Sequence, residues 1–141
     1  MRPRSGSGFS LIELLLVLAI IGIISGIAIP SFLGQRRRAR VIGDAQSNAR
    51  ILAMALESRK ADVGTYGTGT YTWTASGAMP TTSTNIAPGF SPRGNSKMNF
   101  TVAVGGGGLT YTLTVRDAER SANVLTMDQT GNITLDPVYN K

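Results

Sequence analysis

One carboxylate interrupts an otherwise apolar stretch near the start of the chain. Glu13 is the only charged residue between Phe9 and Leu33. A charged side chain at the centre of a membrane helix costs ~2.5–3.5 kcal/mol on insertion scales, and less near its end. Glu13 therefore either extends to the membrane interface or awaits a cationic partner, and an ionisable residue in an apolar span favours the second interpretation.

The remaining composition offers little for catalysis. The 141 residues include no Cys and no His, with 14 Lys+Arg against 8 Asp+Glu and a net charge of +6. Disulfides, thiolate metal sites and the commonest general base are thereby excluded. We expect no enzyme, no catalytic residues, no cofactor and no metal site. The positive charge suits anionic partners such as lipid headgroups or nucleic acid.

The apolar stretch is long enough to span a membrane. Its 25 residues, 9–33, would form ~37 Å of helix, more than the ~30 Å hydrocarbon core. A cleaved secretory signal is the alternative, but its apolar region is shorter, at ~7–15 residues. We expect retention as a membrane segment.

A recognisable motif begins this stretch. The run Gly8-Phe9-Ser10-Leu11-Ile12-Glu13 and the aliphatic residues after it resemble the class III signal of type IV pilins and type II secretion pseudopilins, with Ser10 where Thr is more usual. The resemblance implies that a prepilin peptidase cuts after Gly8 and methylates the new amine of Phe9. It also implies that this amine meets Glu13 of a neighbouring subunit during assembly.

The membrane orientation is in conflict with a charge count. The leader carries Arg2 and Arg4, whereas Arg36, Arg37, Arg38 and Arg40 follow the apolar stretch. The positive-inside rule would place the far side in the cytoplasm. The resemblance implies the opposite, a single-pass inner-membrane precursor with a cytoplasmic N-terminus, and we follow it.

Three residues predict a weak point in the helix. Gly22 and Gly26 have the spacing that permits close helix contact in membranes, although such spacings also arise by chance. Pro30 lacks the N–H that would bond Gly26. We expect a kink, and local unwinding when the subunit leaves lipid.

The arginine cluster at 36–40 has two interpretations. Its ordinary role is contact with lipid headgroups before assembly. The sharper hypothesis is DNA capture, since competence-type pili bind duplex DNA. Phosphate contact requires accessible basic groups, and no aromatic residues interleave with the cluster for base stacking. We therefore favour the lipid role.

From Ser31 to about Lys60 the pattern becomes amphipathic. Apolar residues recur every three or four positions, as expected for a helix covering a core on one side: Val41, Ala45, Ala49, Leu52 and Leu56, widened by Ile42 and Ala53. Together the two stretches predict one helix of about fifty residues, stopped near Gly64.

The rest of the chain predicts a small antiparallel sheet. Residues 65–98 are rich in Thr, Ser and Gly and indicate a surface loop, with one short strand around 70–74 as an option. Residues 99–104 and 109–116 flank a four-glycine turn, and a second hairpin has Gln129-Thr130-Gly131 as its turn. About four strands are expected to cover the helix.

The part of the chain after the helix, residues 65–141, is called the head, and some of its other residues invite weaker hypotheses. Asp117, Asp128 and Asp136 raise the question of calcium, which some pseudopilins bind, but they lack the spacing of a calcium loop and are expected to be separate surface acids. Asn99 and Asn132 begin short glycosylation-type patterns of little specificity. Without a disulfide, the C-terminal end either is held by packing of Pro137, Val138 and Tyr139 or remains mobile.

These observations predict an α+β pilin fold with five parts. They are a cleaved leader (1–8), an apolar filament-core helix (9–33), an amphipathic helix (34–62), a loop region (63–98), and a sheet with the C-terminal tail (99–141). The resemblance implies a type IV pilus subunit that forms a helical homo-oligomer, with an assembly platform and its ATPase as partners. A periplasmic pseudopilin is the near alternative, and a minor or DNA-uptake pilin the further one.

Overall fold

The computed structural model describes residues 8–75 and 86–140. Most of the predicted leader and part of the predicted loop region lie outside these residues. The described elements are a long helix followed by five strands and one 3₁₀ turn between the second and third: α1 Leu11–Val63, β1 Gly69–Trp73, β2 Met98–Gly105, the turn Gly106–Gly108, β3 Thr110–Asp117, β4 Ala122–Asp128 and β5 Ile133–Leu135.

The predicted long helix is confirmed. Helix α1 contains 53 residues, far more than the ~11–12 of an average helix. The described residues form two compact units that divide between Arg37 and Arg38, within this helix. The helix is unbroken across Pro30. The expected kink and unwinding at that residue remain predictions.

In the first unit the apolar side chains of α1 are exposed. Their exposed fractions run from 43% at Val17 to 75% at Leu11. An 18-residue window within α1 has a mean hydropathy of 2.7, and none of it is buried. By length and composition alone, this part of the helix could cross a membrane.

In the second unit the predicted stripe of α1 is buried. The buried residues are Val41, Ala45, Asn48, Ala49, Leu52 and Leu56, so five follow the sequence pattern and Asn48 is an addition. The helix ends where predicted: Gly64 adopts φ +86°, and its N–H donates to the Lys60 carbonyl at 2.8 Å. A left-handed residue at this position favours glycine.

The sheet is an antiparallel meander of five strands in the order β1-β2-β3-β4-β5. About four strands were predicted, with a short strand around 70–74 as an option, and that optional strand is present as β1. It pairs with residues 100–104 of β2, from Gly69 opposite Val104 to Trp73 opposite Phe100. The Thr and Gly content of β1 made it resemble a loop. The register shifts once, between Val115 and Arg116, where β4 has an extra residue.

The α+β architecture is confirmed, with the sheet covering one side of α1. The core joins the helix stripe to alternate strand residues such as Phe100, Val102, Leu113 and Val115, each fully buried. Trp73, Phe90 and Phe100 pack edge to face, with ring centroids 5.7 and 5.5 Å apart. Such pairs add about 0.5–1.5 kcal/mol each beyond area burial.

Two details of the predicted sheet were wrong. The strand was expected to begin at residue 109, but Leu109 lies in the turn before β3 and is 54% exposed. Asp117 was expected to be a surface acid, but it is 4% exposed. Its Oδ1 accepts hydrogen bonds from the backbone of the turn after β3, which explains the burial of a carboxylate there.

The C-terminal end is held by one tyrosine. Tyr139 is buried, and its hydroxyl donates to Asp117 Oδ2 at 2.9 Å. Its N–H also donates to the Asp136 carbonyl at 2.8 Å. Val138, by contrast, is half exposed. Packing therefore does hold this end, with Tyr139 and its buried hydrogen bond as the main contact.

Candidate processing and assembly site

The described part of the predicted cleavage site is open. Gly8 is exposed, and a Cβ built on it would meet no atom within 4 Å. Phe9 is 76% exposed, although burial of so large an aromatic ring is normally favourable. Both residues precede α1, in non-helical backbone. Both residues on either side of the predicted cleavage point are therefore exposed.

Glu13 is positioned by the first turn of the helix. Its Oε2 accepts a hydrogen bond from the backbone N–H of Ser10 at 2.9 Å. The Ser10 carbonyl in turn accepts from the Leu14 N–H at 3.2 Å, which closes the first helical turn. Glu13 thus satisfies one of the N–H groups that every helix start leaves without an internal partner.

The sequence contained a signal for this contact that we did not use. Ser10-x-x-Glu13 has the spacing of a capping box, in which the Glu three residues on accepts from the N-cap backbone. Ser10 was considered only as a replacement for Thr in the signal. Its additional role is to hold the Glu13 carboxylate close to the residue that would become the N-terminus.

The structure brings Phe9, Ser10 and Glu13 together at one end of an exposed apolar surface. We call this surface the apolar face and define it as the exposed large apolar side chains of the first unit. They are Phe9, Leu11, Ile12, Leu14, Leu15, Leu16, Val17, Leu18, Ile20, Ile21, Ile23, Ile24, Ile27, Ile29, Phe32 and Leu33. In water such a surface would be strongly unfavourable, at about 25 cal/mol per Å² of apolar area.

The proposed weak point lies within the apolar face. Neither Gly22 nor Gly26 has any atom within 4 Å of a built Cβ. Both therefore have room for the close approach of another helix, which small residues permit in membranes. Pro30 lies four residues beyond Gly26 in the same unbroken helix. Nothing in the described residues occupies the space beside the two glycines.

The arginine cluster is divided between the two units. Arg36 and Arg37 end the first unit, and Arg38 begins the second. Arg36, Arg37 and Arg40 are exposed, while Arg38 is partly buried. The cluster therefore offers charged side chains at the surface, as contact with either headgroups or phosphates requires.

The three aspartates considered for calcium are each engaged separately. Within residues 8–75 and 86–140, no group of three or more His, Cys, Asp or Glu side chains is placed to hold a metal. Asp128 Oδ1 accepts from both Oγ1 and N of Thr130 and from Asn132 N. These bonds, that of the Thr130 hydroxyl foremost, lower the pKa of Asp128. The carboxylates cap turns of the sheet.

Comparison with known proteins decides what the N-terminal segment is. A family model described as the prokaryotic N-terminal methylation motif matches residues 3–29. The chain carries the class III signal peptide of type IV pilins and pseudopilins. The long helix packed on an antiparallel sheet matches the pilin fold. No curated protein and no solved structure matches the chain.

The matched segment and the apolar face overlap almost completely. The motif ends at Ile29, one residue before Pro30, and includes Gly8, Phe9, Glu13, Gly22 and Gly26. The remainder of the chain lies outside the match. An apolar helix with a pilin-type signal fits a membrane-anchored precursor.

Proposed function

We propose that this chain is a structural subunit of a type IV pilus. The precursor is held in the inner membrane by residues 9–33, with its N-terminus in the cytoplasm. A prepilin peptidase cleaves after Gly8 and the new amine of Phe9 is methylated. An assembly platform and its ATPase then extract the subunit, which polymerises into an extracellular helical filament.

The apolar face is the observation that carries this proposal. The described residues of the head cover α1 only from Val41 onward, and the apolar side chains before Leu33 are exposed. Within residues 8–75 and 86–140 nothing buries these side chains, and we infer that their burial comes from lipid or from other subunits. Lipid supplies it for the precursor, and the same helices of other subunits supply it in a filament.

The apolar helix moves from lipid into contact with other subunits, and the charge of Glu13 makes that contact specific. In the precursor its carboxylate accepts the Ser10 N–H. Cleavage after Gly8 creates a positive amine at Phe9, within the same turn. A carboxylate among apolar helices is stabilised by an opposite charge, and removing one partner of such a pair costs about 3–5 kcal/mol. Pairing with the Phe9 amine of a neighbouring subunit would satisfy both groups.

Analysis of sheared surface material tests the proposal. Electron microscopy should show long fibres, and mass spectrometry should show a subunit that begins with methylated Phe9. Short fibres confined to the periplasm would favour the pseudopilin instead. Membrane protein that retains Met1 in cells with an active prepilin peptidase would contradict the proposal.

The role of Glu13 is tested by Glu13→Ala with Ser10→Ala as the matched control. Both variants alter the first turn, but only the first removes the charge. Glu13→Ala should insert into membranes normally and yield at least about tenfold fewer fibres, because the Phe9 amine would lack its partner. Ser10→Ala should assemble normally. Normal fibre yield from Glu13→Ala would exclude the pairing role.

A further inference from the structure

Four exposed basic residues lie at one end of the second unit. Arg40 lies on α1, Arg93 and Lys97 lie in the loop before β2, and Arg120 lies in the turn between β3 and β4. We call these four residues the basic rim. They come from three separate segments of the chain, and the backbone contacts below bring those segments together.

Backbone hydrogen bonds join the three segments. The Ala118 N–H donates to the Lys97 carbonyl at 2.9 Å, which places the turn carrying Arg120 against the loop. The Ser96 N–H donates to Asp44 Oδ2 at 3.1 Å, which joins the same loop to the helix. Asp44 is four residues after Arg40 and therefore lies one turn along the same side of α1.

Buried polar side chains fix the backbone of the rim. Among the described residues, the buried non-aromatic polar side chains are Asn48, 2% exposed, and Asp117, 4% exposed. Asn48 Nδ2 donates to the Arg93 carbonyl at 2.6 Å, and Asn48 Oδ1 accepts from the Arg93 N–H at 2.8 Å. Asp117 Oδ1 accepts from the Arg120 N–H at 3.3 Å. Both therefore hold the backbone of a basic residue whose side chain is exposed.

The carboxylates at this end mostly face the protein. Asp44 packs so closely on Gly94 that a Cβ there would lie 2.6 Å from Asp44 Cγ. The Asp117 carboxylate accepts hydrogen bonds from the backbone of the turn and from the Tyr139 hydroxyl. Asp136 also lies at this end, where it is partly buried and its Oδ1 accepts from the Val138 N–H. Glu119 is the exposed acid of this end. The accessible charge is therefore positive.

The rest of the unit is balanced in charge. Among the described residues it has three acids and three bases: Glu57, Asp62 and Asp128, with Arg50, Arg59 and Lys60. The positive charge is thus segregated to the end at which Arg40 lies. Arg40 follows Leu33 by seven residues in the sequence.

We propose that the basic rim docks the head on a membrane surface that contains anionic phospholipid. The inference rests on the proposed insertion of residues 9–33, which tethers the rim close to headgroups. A membrane is the favoured partner because the positive end is the one from which the chain continues into its apolar segment. Duplex DNA is the competing partner, and it would bind the rim without any membrane.

The full chain in lipid vesicles provides the test. Because the chain has no Cys, Asn95→Cys gives a single label position in the loop between Arg93 and Lys97. Energy transfer to a headgroup-labelled lipid reports how close the rim lies to the surface. Transfer should be higher in vesicles of phosphatidylcholine with phosphatidylglycerol than in phosphatidylcholine alone. The difference should shrink in 1 M salt, where the Debye length is about 3 Å.

Two charge-matched variants make the test specific to the rim. Arg93→Gln with Lys97→Gln removes two rim charges, and Arg50→Gln with Lys60→Gln removes two elsewhere. Each basic residue near an anionic surface raises the ratio of membrane-docked to undocked heads roughly fivefold. The rim variant, which lacks two of them, should therefore lower this ratio roughly 30-fold. The control variant should leave the ratio unchanged. Thermal unfolding of both verifies that the head remains folded.

Failure of the rim is distinguishable from failure of insertion. Flotation of the chain with phosphatidylcholine vesicles reports insertion by the apolar segment, and it should be equal in all variants. Equal transfer in neutral and anionic vesicles, or equal loss in both variants, would overturn the docking proposal while leaving insertion intact. It would also be overturned if the rim were needed for duplex DNA binding in a gel-shift assay but not for transfer in vesicles.

Discussion

The two parts of helix α1 share a helical backbone but differ in whether their apolar side chains are covered by the rest of the chain. From Leu11 to Leu33 its large apolar side chains are exposed, whereas from Val41 to Leu56 an apolar stripe is covered by the sheet of the same chain. The first part is apolar on all sides and the second on one side only. The pattern of apolar residues thus tells which part is completed within the subunit and which needs lipid or other subunits.

The largest expected effect comes from making the same substitution, Leu→Ala, in each of the two parts of α1. Leu52 is fully buried, and Leu16 is 59% exposed. Leu52→Ala should lower the free energy of unfolding of the head by about 2–5 kcal/mol, because it removes buried methyl groups and leaves a cavity. Leu16→Ala should leave that free energy unchanged. Denaturant titration of the purified chain in detergent, followed by tryptophan fluorescence of Trp73, measures both.

The comparison would fail if Leu16→Ala destabilised the head as much as Leu52→Ala does. That result would mean that the first part of α1 is also packed within the subunit. Met54, which is 72% exposed on the second part, gives a further control. Met54→Ala should change the free energy of unfolding by less than about 0.5 kcal/mol.

A second prediction concerns the polar residue within the covered stripe. Asn48→Ala should destabilise the head by about 1–3 kcal/mol, because the N–H and carbonyl of Arg93 would lose a buried partner. Hydrogen exchange at the Arg93 amide should accelerate more than exchange at Leu113 in the sheet. The neighbouring Ser47 is exposed, and Ser47→Ala should change neither quantity. Unchanged exchange at Arg93 in the Asn48 variant would refute this role.

Much of this division could be predicted from the sequence, because it depends on local periodicity. The buried stripe, the helix end at Gly64 and the two hairpins all follow from spacing and turn residues. Strand β1 could be predicted only as an option, because its burial pattern depends on pairing with β2, which is distant in sequence. Asn48 and Asp117 were missed as buried groups because their partners, which are backbone atoms and for Asp117 also the Tyr139 hydroxyl, are brought to them by the fold and are not revealed by residue types.

The functional residues likewise fall into those that could be predicted from the sequence and those that could not. Gly8, Phe9 and Glu13 were identified by their order along the chain, which is what the motif match also detects. The basic rim could not be predicted, since Arg40, Arg93 and Arg120 come from three distant segments. Only the hydrogen bonds among those segments show that the residues share one end of the unit.

A third prediction uses two tyrosines at the C-terminal end of the helix. Tyr66 donates its hydroxyl proton to Glu57 Oε1 at 2.6 Å and packs edge to face on Tyr111 at 4.8 Å. Burial, followed by the hydrogen bond to Glu57 and its charge, raises the pKa of Tyr66 to about 12. Burial likewise raises the pKa of Tyr111 to about 12. Both values lie above the ordinary 10.0 of the unfolded chain.

The sign of the pH dependence follows from these shifts. A folded-state pKa above the unfolded value stabilises the fold below pH 10, and that contribution is lost as the pH rises toward 12. The free energy of unfolding should fall by at least about 1 kcal/mol over this window. Tyr66→Phe should show a shallower loss. An equally steep loss in Tyr66→Phe would assign the pH dependence to other groups.

The smallest expected effect compares glycines in the two parts of α1. Gly43 is exposed in the second part, and a Cβ built on it would meet no atom within 4 Å. Gly43→Ala should therefore stabilise the head by about 0.5–1 kcal/mol, because alanine restricts the unfolded chain and clashes with nothing in the helix. Gly26 has the same open surroundings in the first part. Gly26→Ala should leave unfolding of the head unchanged but reduce fibre yield if neighbouring helices approach closely there. Denaturant titration would then show the larger effect for Gly43→Ala, and fibre counts would show the larger effect for Gly26→Ala. A single role shared by the two glycines would not produce this result.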